Sequence, residues 1–171
     1  NGSVGRVYVY HNTSYSTRAG GIGLSWGGSP QTNAVFRNNI VYTPALTSGG
    51  GRVYSIYTTT SNTAIGNDLN YDLLYRSDNT FLAKWANVNY YSLSSFQSAS
   101  GQEINGIFAD PLFVAPSAPP SRNNLRLQAA SPAIDQGVPL IGFNDANSAW
   151  PALGASGLPD MGAFEFDSGA P

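Results

Sequence analysis

Val7-Tyr8-Val9-Tyr10-His11-Asn12-Thr13-Ser14-Tyr15 returns in altered form as Ala34-Val35-Phe36-Arg37-Asn38-Asn39-Ile40-Val41-Tyr42 and again as Leu69-Asn70-Tyr71-Asp72-Leu73-Leu74-Tyr75. Alignment puts Asn12, Asn39 and Asp72 in one column and Tyr15, Tyr42 and Tyr75 in another, at spacings of 27 and then 33 residues. An approximate repeat of this length is the mark of stacked units, none of which can bury an apolar face alone.

Each unit carries short β-branched and aromatic runs between Gly and Asn turns, without a sustained helical period. In the first unit Val7 and Val9 alternate with Tyr8 and Tyr10, one set turned inward and the other toward solvent. A second strand set is read in Gly21-Ile22-Gly23-Leu24-Ser25-Trp26 and Arg52-Val53-Tyr54-Ser55-Ile56-Tyr57, with glycines 20, 21, 27, 28 and 49 to 51 at the corners. The longer second interval places a loop around Thr43 to Gly51. The pattern predicts an all-β, single-stranded parallel β-helical solenoid. Asn12 and Asn39 form a structural ladder at its bends, each amide donating to one neighbouring unit and accepting from the other, and Asp72, which cannot donate, ends or modifies it.

After Tyr75 the period decays. Residues 91–97 predict a short helix capped by Ser92, with Leu93 and Phe96 turned inward. From Asp110 onward Pro111, Pro116, Pro119, Pro120, Pro132, Pro139, Pro151 and Pro159 exclude long regular elements and predict an irregular C-terminal cap. The whole of 1–171 is read as one domain, coil rungs and a side loop over about 1–100 and cap and tail over about 101–171.

Only 11% of the 171 residues are charged, and polarity comes instead from amides and hydroxyls. Eight scattered Lys and Arg give no phosphate-tracking patch, so no nucleic-acid partner is expected. No apolar run approaches a membrane span, and no signal peptide is visible at the start, which reads as if cut from a longer chain. Cys is absent, removing disulfides, thiolate nucleophiles and Cys metal sites.

The tail motifs Gly101-Gln102-Glu103, Phe108-Ala109-Asp110-Pro111-Leu112-Phe113, Asn124-Leu125-Arg126-Leu127-Gln128, Ser131-Pro132-Ala133-Ile134-Asp135-Gln136-Gly137 and Asp160-Met161-Gly162-Ala163-Phe164-Glu165-Phe166 resemble the C-terminal region of right-handed parallel β-helix proteins of secreted bacterial polysaccharide-degrading systems. The resemblance covers roughly residues 101 to 166. It implies a pectate-lyase-like, right-handed solenoid, a secreted or extracellular location, and use as a carbohydrate-binding module of a xylan-directed enzyme. No catalytic motif of that family can be placed on this sequence residue by residue.

Glycosidase chemistry needs two carboxyl groups about a sugar bond, yet Glu103 and Glu165 lie in cap motifs, where a carboxylate serves more simply as an acceptor for turn N–H groups. Asp110, Asp135 and Asp160 are read the same way, Asp135 closing a single turn begun at Ser131-Pro132. A lyase would need a base and a cation, types supplied by His11 with Arg18, Arg37 or Arg52. His11, however, shares its repeat position with Asn38, beside the ladder. Asn67, Asp68, Asn70 and Asp72, and separately Asn144, Asp145 and Asn147, are hard-oxygen clusters, making Asp68, Asp72 and Asp145 weak metal candidates that lack the Ca²⁺ loop pattern.

Aromatic residues carry the functional signal: ten Tyr and three Trp in a chain with few charges. Trp26, between Gly23 and Gly27-Gly28, has room to present a ring face, with Tyr57 and Tyr54 on the following unit and Tyr8 and Tyr10 turned outward on the first. Strands stack about 4.8 Å apart, so neighbouring rings can form one platform for sugar rings, assisted by Ser25, Gln31, Asn33 and Arg52. Tyr15, Tyr42, Tyr75, Phe36 and Trp85 are read as stacking core. The sequence thus points to non-catalytic binding of a plant cell-wall polysaccharide, neutral xylan favoured, as a module covalently linked to the catalytic domain of a secreted hydrolase. No cofactor is required. The rival readings are the end of a lyase or glycosidase, and a purely structural capping end of a longer surface protein with an unpaired, apolar first rung; an exposed edge at Val7 to Tyr10 would be an aggregation liability, so residues 1–5 or another chain are expected to cover it.

Overall fold

The computed structural model of the chain describes residues 6–15, 22–23, 25–26, 29–30, 32–43, 54–58, 66–78, 81–116, 124–144 and 157–166. Strands β1 (Val7–Tyr10), β6 (Ala34–Arg37) and β9 (Asp68–Asn70) form one parallel sheet, in the order β1-β6-β9. A second parallel sheet joins β2 (Thr13–Tyr15), β7 (Ile40–Thr43), β10 (Leu73–Arg76) and β13 (Ile107–Phe108), in the order β13-β10-β7-β2. The third is mixed: β3 (Ile22–Gly23), β8 (Ile56–Tyr57) and β11 (Ala83–Trp85) run parallel, and β12 (Val88–Tyr90) returns antiparallel on β11. β4 (Ser25–Trp26) and β5 (Ser29–Pro30) make a small antiparallel pair.

The register repeats the spacing of the sequence: Val7 pairs Ala34, Thr13 pairs Ile40, and Leu73 pairs both Ile40 and Ile107. Two apolar clusters follow from the alternation of side chains along these strands. Ala34, Phe36, Val41, Ile56, Leu69, Leu74, Ala83 and Trp85 form the cluster shared by the three sheets, while Ile40 and Leu73, the neighbours of Val41 and Leu74, belong to a second cluster with Phe113, Leu127, Ala133 and Met161 of the C-terminal region. The second sheet is therefore buried on both faces, which is why its strands read as unbroken apolar pairs.

Helix α1 (Leu93–Ser100) starts where Ser92 accepts the N–H of Ser95 at 3.2 Å, and it ends on Gly101 at φ 68°, whose N–H reaches the carbonyl of Gln97 at 2.9 Å. It buries one large side chain, Phe96, against Trp85 and Tyr90. Gly162 shows why the tail packs so closely on β7: with φ at 100°, a Cβ there would stand 2.7 Å from Cδ1 of Ile40 and 2.9 Å from Oγ1 of Thr13.

The expectation of a single-stranded, right-handed parallel β-helix is corrected. The described residues form small parallel and mixed sheets with one short helix, and no closed solenoid runs through them. The repeat specified which strands lie side by side. Closure depends on the connecting segments and on strands long enough to carry a coil around every corner. Here the strands have two to four residues, and the third sheet turns back on itself at β11 and β12. The chain is mainly β with an irregular C-terminal region. The predicted coverage of the β1 edge by residues 1–5 lies outside the described residues.

Candidate functional site

Asn12, Asn39 and Asp72 follow three bends of one kind, at each of which the preceding residue takes a left-handed conformation: His11 at φ 52°, Asn38 at 59° and Tyr71 at 60°. The conformation costs about 1 kcal/mol for a residue other than glycine, and it turns the next side chain along the stack. Oδ1 of Asn39 accepts the backbone N–H of Asn12 at 2.9 Å and its Nδ2 at 3.1 Å, while Nδ2 of Asn39 donates to the carbonyl of Val9 and to Oδ1 of Asp72. Asp72 also accepts the N–H of Asn39 at 2.7 Å.

The column does not stop at Asp72, because Oε2 of Glu103 accepts the Asp72 N–H at 3.2 Å. Both carboxyl groups are fully buried, and Oδ2 of Asp72 and Oε1 of Glu103 have no other donor among the described residues. Burial raises both acids, Asp72 to about 6 and Glu103 well above its ordinary value, the neighbouring Asp72 carboxylate adding to the effect on Glu103. The pair holds a proton at moderate pH and serves the interior. It has no route to a substrate.

At the opposite end of the column lies an outward aromatic cluster with exposed ring surface. Tyr8 and Tyr10, on the same side of β1, have ring centroids 5.7 Å apart at an interplanar angle of 54°, and the edge of Phe143 meets Tyr10 at 5.5 Å and 66°. With Val9 and Asn12 they line an open cavity of about 640 Å³. Tyr8 is 56% exposed and Phe143 39%. Nδ2 of Asn12 is spent on Asn39 and on the carbonyl of Tyr10, and its Oδ1 has no donor among the described residues.

On the neighbouring strand Arg37, the register partner of Tyr10, is paired with Asp68 at 2.5 Å. Burial, then the nearby Tyr8, raises the Tyr10 hydroxyl above its ordinary value, Arg37 and Arg6 opposing, so Tyr10 keeps its proton and can donate at neutral pH.

Elsewhere Phe81 meets Tyr91 at 4.5 Å and 41°, and Tyr75 meets Phe108 at 6.2 Å and 40°. Tyr15, Tyr42 and Tyr75 stack face to face at 5.2 Å and 5.4 Å, with angles of 11° and 29°, each covering its neighbour. Tyr54, expected on the binding surface, is instead 3% exposed, stacks on Tyr57 at 5.2 Å and donates its hydroxyl to Oδ1 of Asn89; this is a correction. Tyr57 is half-buried, with Nζ of Lys84 at 6.0 Å from its ring centre. Asn33 is exposed at the turn entering β6, away from the groove lining. Trp26 belongs to β4, paired with Ser29, but its side chain lies outside the described residues, as do Gln31, Arg52, Arg18 and Asp145.

The weak metal candidates Asp68 and Asp72, and the amides beside them, are engaged by other partners. Asp68 holds Arg37, Asp72 holds the ladder, Oδ1 of Asn67 accepts the N–H of Ala34, and Oδ1 of Asn70 accepts those of Tyr71 and Asn105. Their oxygens are directed to separate partners, and among the described residues no three acidic or histidine side chains gather.

His11 is 7% exposed, and Asn38 and Asn144 direct amide donors at its Nε2, which leaves that nitrogen no substrate proton to take. Glu165, raised to about 7 chiefly by burial, accepts the N–H of Asp160, whose own carboxylate accepts those of Asp135 and Phe166.

Phe143 is the groove residue that the sequence did not announce. It sits in residues 138–144, where Pro139 and Gly142 leave no strand or helix period to give it a face. What organises this segment is Asn144, whose Oδ1 accepts the N–H of Leu140. No family model, curated protein or solved structure matches this chain.

Proposed function

We propose that the chain binds a plant cell-wall polysaccharide without cleaving it, neutral xylan being the favoured ligand, as an accessory module of a secreted hydrolase. The observation that carries this reading is the set of mutually tilted rings of Tyr8, Tyr10 and Phe143 lining an open cavity together with Asn12. A pyranose has apolar C–H faces and equatorial hydroxyls, so tilted rings beside amide and phenol groups match both parts of it.

The adjacent Arg37–Asp68 pair is internally neutralised, which favours an uncharged sugar over a uronate. The likeness of the tail motifs at residues 101 to 166 to proteins of secreted bacterial polysaccharide-degrading systems supports the extracellular setting and a covalently linked catalytic domain.

Titration calorimetry with xylohexaose, cellohexaose and hexagalacturonate tests the proposal. Xylohexaose should bind, Tyr8→Ala and Tyr10→Ala should each weaken binding about tenfold, the loss of roughly 1.4 kcal/mol expected for one ring contact, and no reducing ends should appear. Absence of heat with all three sugars refutes the function. Full affinity in both variants refutes the site.

A further inference from the structure

We infer that His11 is an acid-sensitive latch of this groove: the neutral imidazole holds residues 138–144, and Phe143 with them, against β1, and protonation releases that wall. The inference rests on the binding reading for the wall's purpose, and on hydrogen-bond geometry for its mechanism.

Backbone groups fix both amides that meet the ring. Oδ1 of Asn38 accepts the N–H of Val138 at 2.8 Å while its Nδ2 donates to the carbonyl of the same residue at 2.9 Å, so Nδ2 is the atom 3.0 Å from Nε2 of His11. Oδ1 of Asn144 accepts the N–H of Leu140, so its Nδ2 also points at Nε2. Facing two donors, Nε2 must be the acceptor, and the ring proton resides on Nδ1, 3.2 Å from the carbonyl of Gly162. A second proton would set an N–H against two N–H donors. The ring of Phe143 stacks on the imidazole at 6.0 Å, so the group that loses its partners is the one on which the groove wall rests.

Among the described residues the charged side chains around the ring are engaged elsewhere. Arg37 contributes its backbone carbonyl, which accepts the backbone N–H of His11 at 3.2 Å, while its guanidinium is turned to Asp68. The Asp160 carboxylate is occupied by the N–H groups of Asp135 and Phe166, and Glu165 by that of Asp160. Burial lowers the imidazole pKa, the carbonyls of Gly162 and Asp160 opposing. A depressed folded-state value means that the latch is intact above the unfolded value near pH 6.5 and fails as pH falls below it and through the folded value.

His11 is the single histidine of the chain, so its ring resonances can be followed by NMR without ambiguity. Hydrogen exchange at the amides of Val138, Leu140 and Asn144, corrected for intrinsic rates, should accelerate about tenfold for each pH unit between the unfolded and folded values. Xylohexaose should bind more weakly at about pH 5.5 than at about pH 7.5.

His11→Gln, which keeps an acceptor but cannot gain a proton, should flatten the exchange profile. Asn144→Asp replaces one opposed donor by an acceptor, so it should raise the His11 pKa and keep the segment protected at the lower pH; this variant decides the matter if His11→Gln does not fold. Asp135, Asp160 and Glu165 are unchanged in both variants, so acceleration that persists equally in His11→Gln belongs to those acids and overturns the latch. Equal xylohexaose affinity at the two pH values overturns it too. If xylohexaose fails to bind at either pH while the exchange pattern follows His11, the latch stands and the glycan reading falls.

Discussion

Replacing Glu103 by Gln should stabilise the protein at alkaline pH, although the residue is fully buried and hydrogen-bonded. In the native chain Oδ2 of Asp72 and Oε1 of Glu103 have no donor among the described residues, and the raised acids satisfy one another by sharing a proton between them. Asp72 is raised from 3.8 to about 6 by burial, its hydrogen bonds with Glu103 and Asn39 only partly compensating. A raised folded-state value contributes stability that is complete below the unfolded value and is lost as pH climbs through the folded one, here between about pH 4 and pH 6 for Asp72, with Glu103 extending the loss upward. Two pH units of altered proton affinity correspond to about 3 kcal/mol.

The amide of the Glu103→Gln variant retains a carbonyl oxygen for the N–H of Asp72 and presents an Nε2 donor to its orphaned oxygen, so Asp72 can ionise without a shared proton. The variant should therefore gain about 2 to 3 kcal/mol over the native chain at pH 8, or roughly 4 to 12 °C in Tm, and little or nothing at pH 4.5. Thermal unfolding of both proteins across that range checks this, and their difference curve cancels the contributions of His11 and Glu165, common to both. A difference curve that is flat in pH, or a Glu103→Gln protein less stable than the native chain at pH 8, would refute the shared-proton reasoning. Because the two acids titrate as a pair, the transition is a property of both.

Asn39→Ala removes a side chain that bonds Asn12, Val9 and Asp72 in a buried column; chemical denaturation should show a loss of about 2 to 4 kcal/mol, with the stranded groups costing more than the bonds themselves. Gly162→Ala puts a methyl group against Ile40 and Thr13 at a positive φ and should cost about 2 to 3 kcal/mol by the same measurement. Phe96→Ala empties the space between Trp85 and Tyr90 and should cost about 3 to 5 kcal/mol. By contrast Asp68→Ala, at a pair whose acid is 53% exposed, should change stability by less than about 1 kcal/mol.

The lateral order of the strands was legible because repetition and two-residue alternation are local properties of the chain. The column of Asn12, Asn39 and Asp72 could be aligned by eye, and so could the tyrosines at 15, 42 and 75. Glu103 could not be placed in that column. It reaches Asp72 from beyond α1, across 31 residues, where the repeat no longer supplies a frame. Tyr54 was misplaced for a different reason: it lies before β8, outside any strand, so alternation gives it no face, and its position is decided by Phe81, Asn89 and Tyr57. Closure of a coil, likewise, is a property of corners, and corners carry no period.

The bend at His11 and Asn12 shows how the legible and illegible parts meet. Asn12 faces along the stack and ends the hydrogen-bonded column; His11, one residue earlier and in the left-handed conformation, faces the C-terminal region and binds Gly162, Asn38 and Asn144. Adjacent side chains thus tie the same bend to two structures, one periodic and one not. Tyr10 enters that bend from β1, and Phe143 meets it from the distant segment that Asn144 fastens to His11, so the groove exists only where both attachments hold. Strand β1 alone supplies tyrosines on an edge. The aromatic groove is a product of the bend, and its integrity depends on the protonation state of one imidazole that the column itself does not contain.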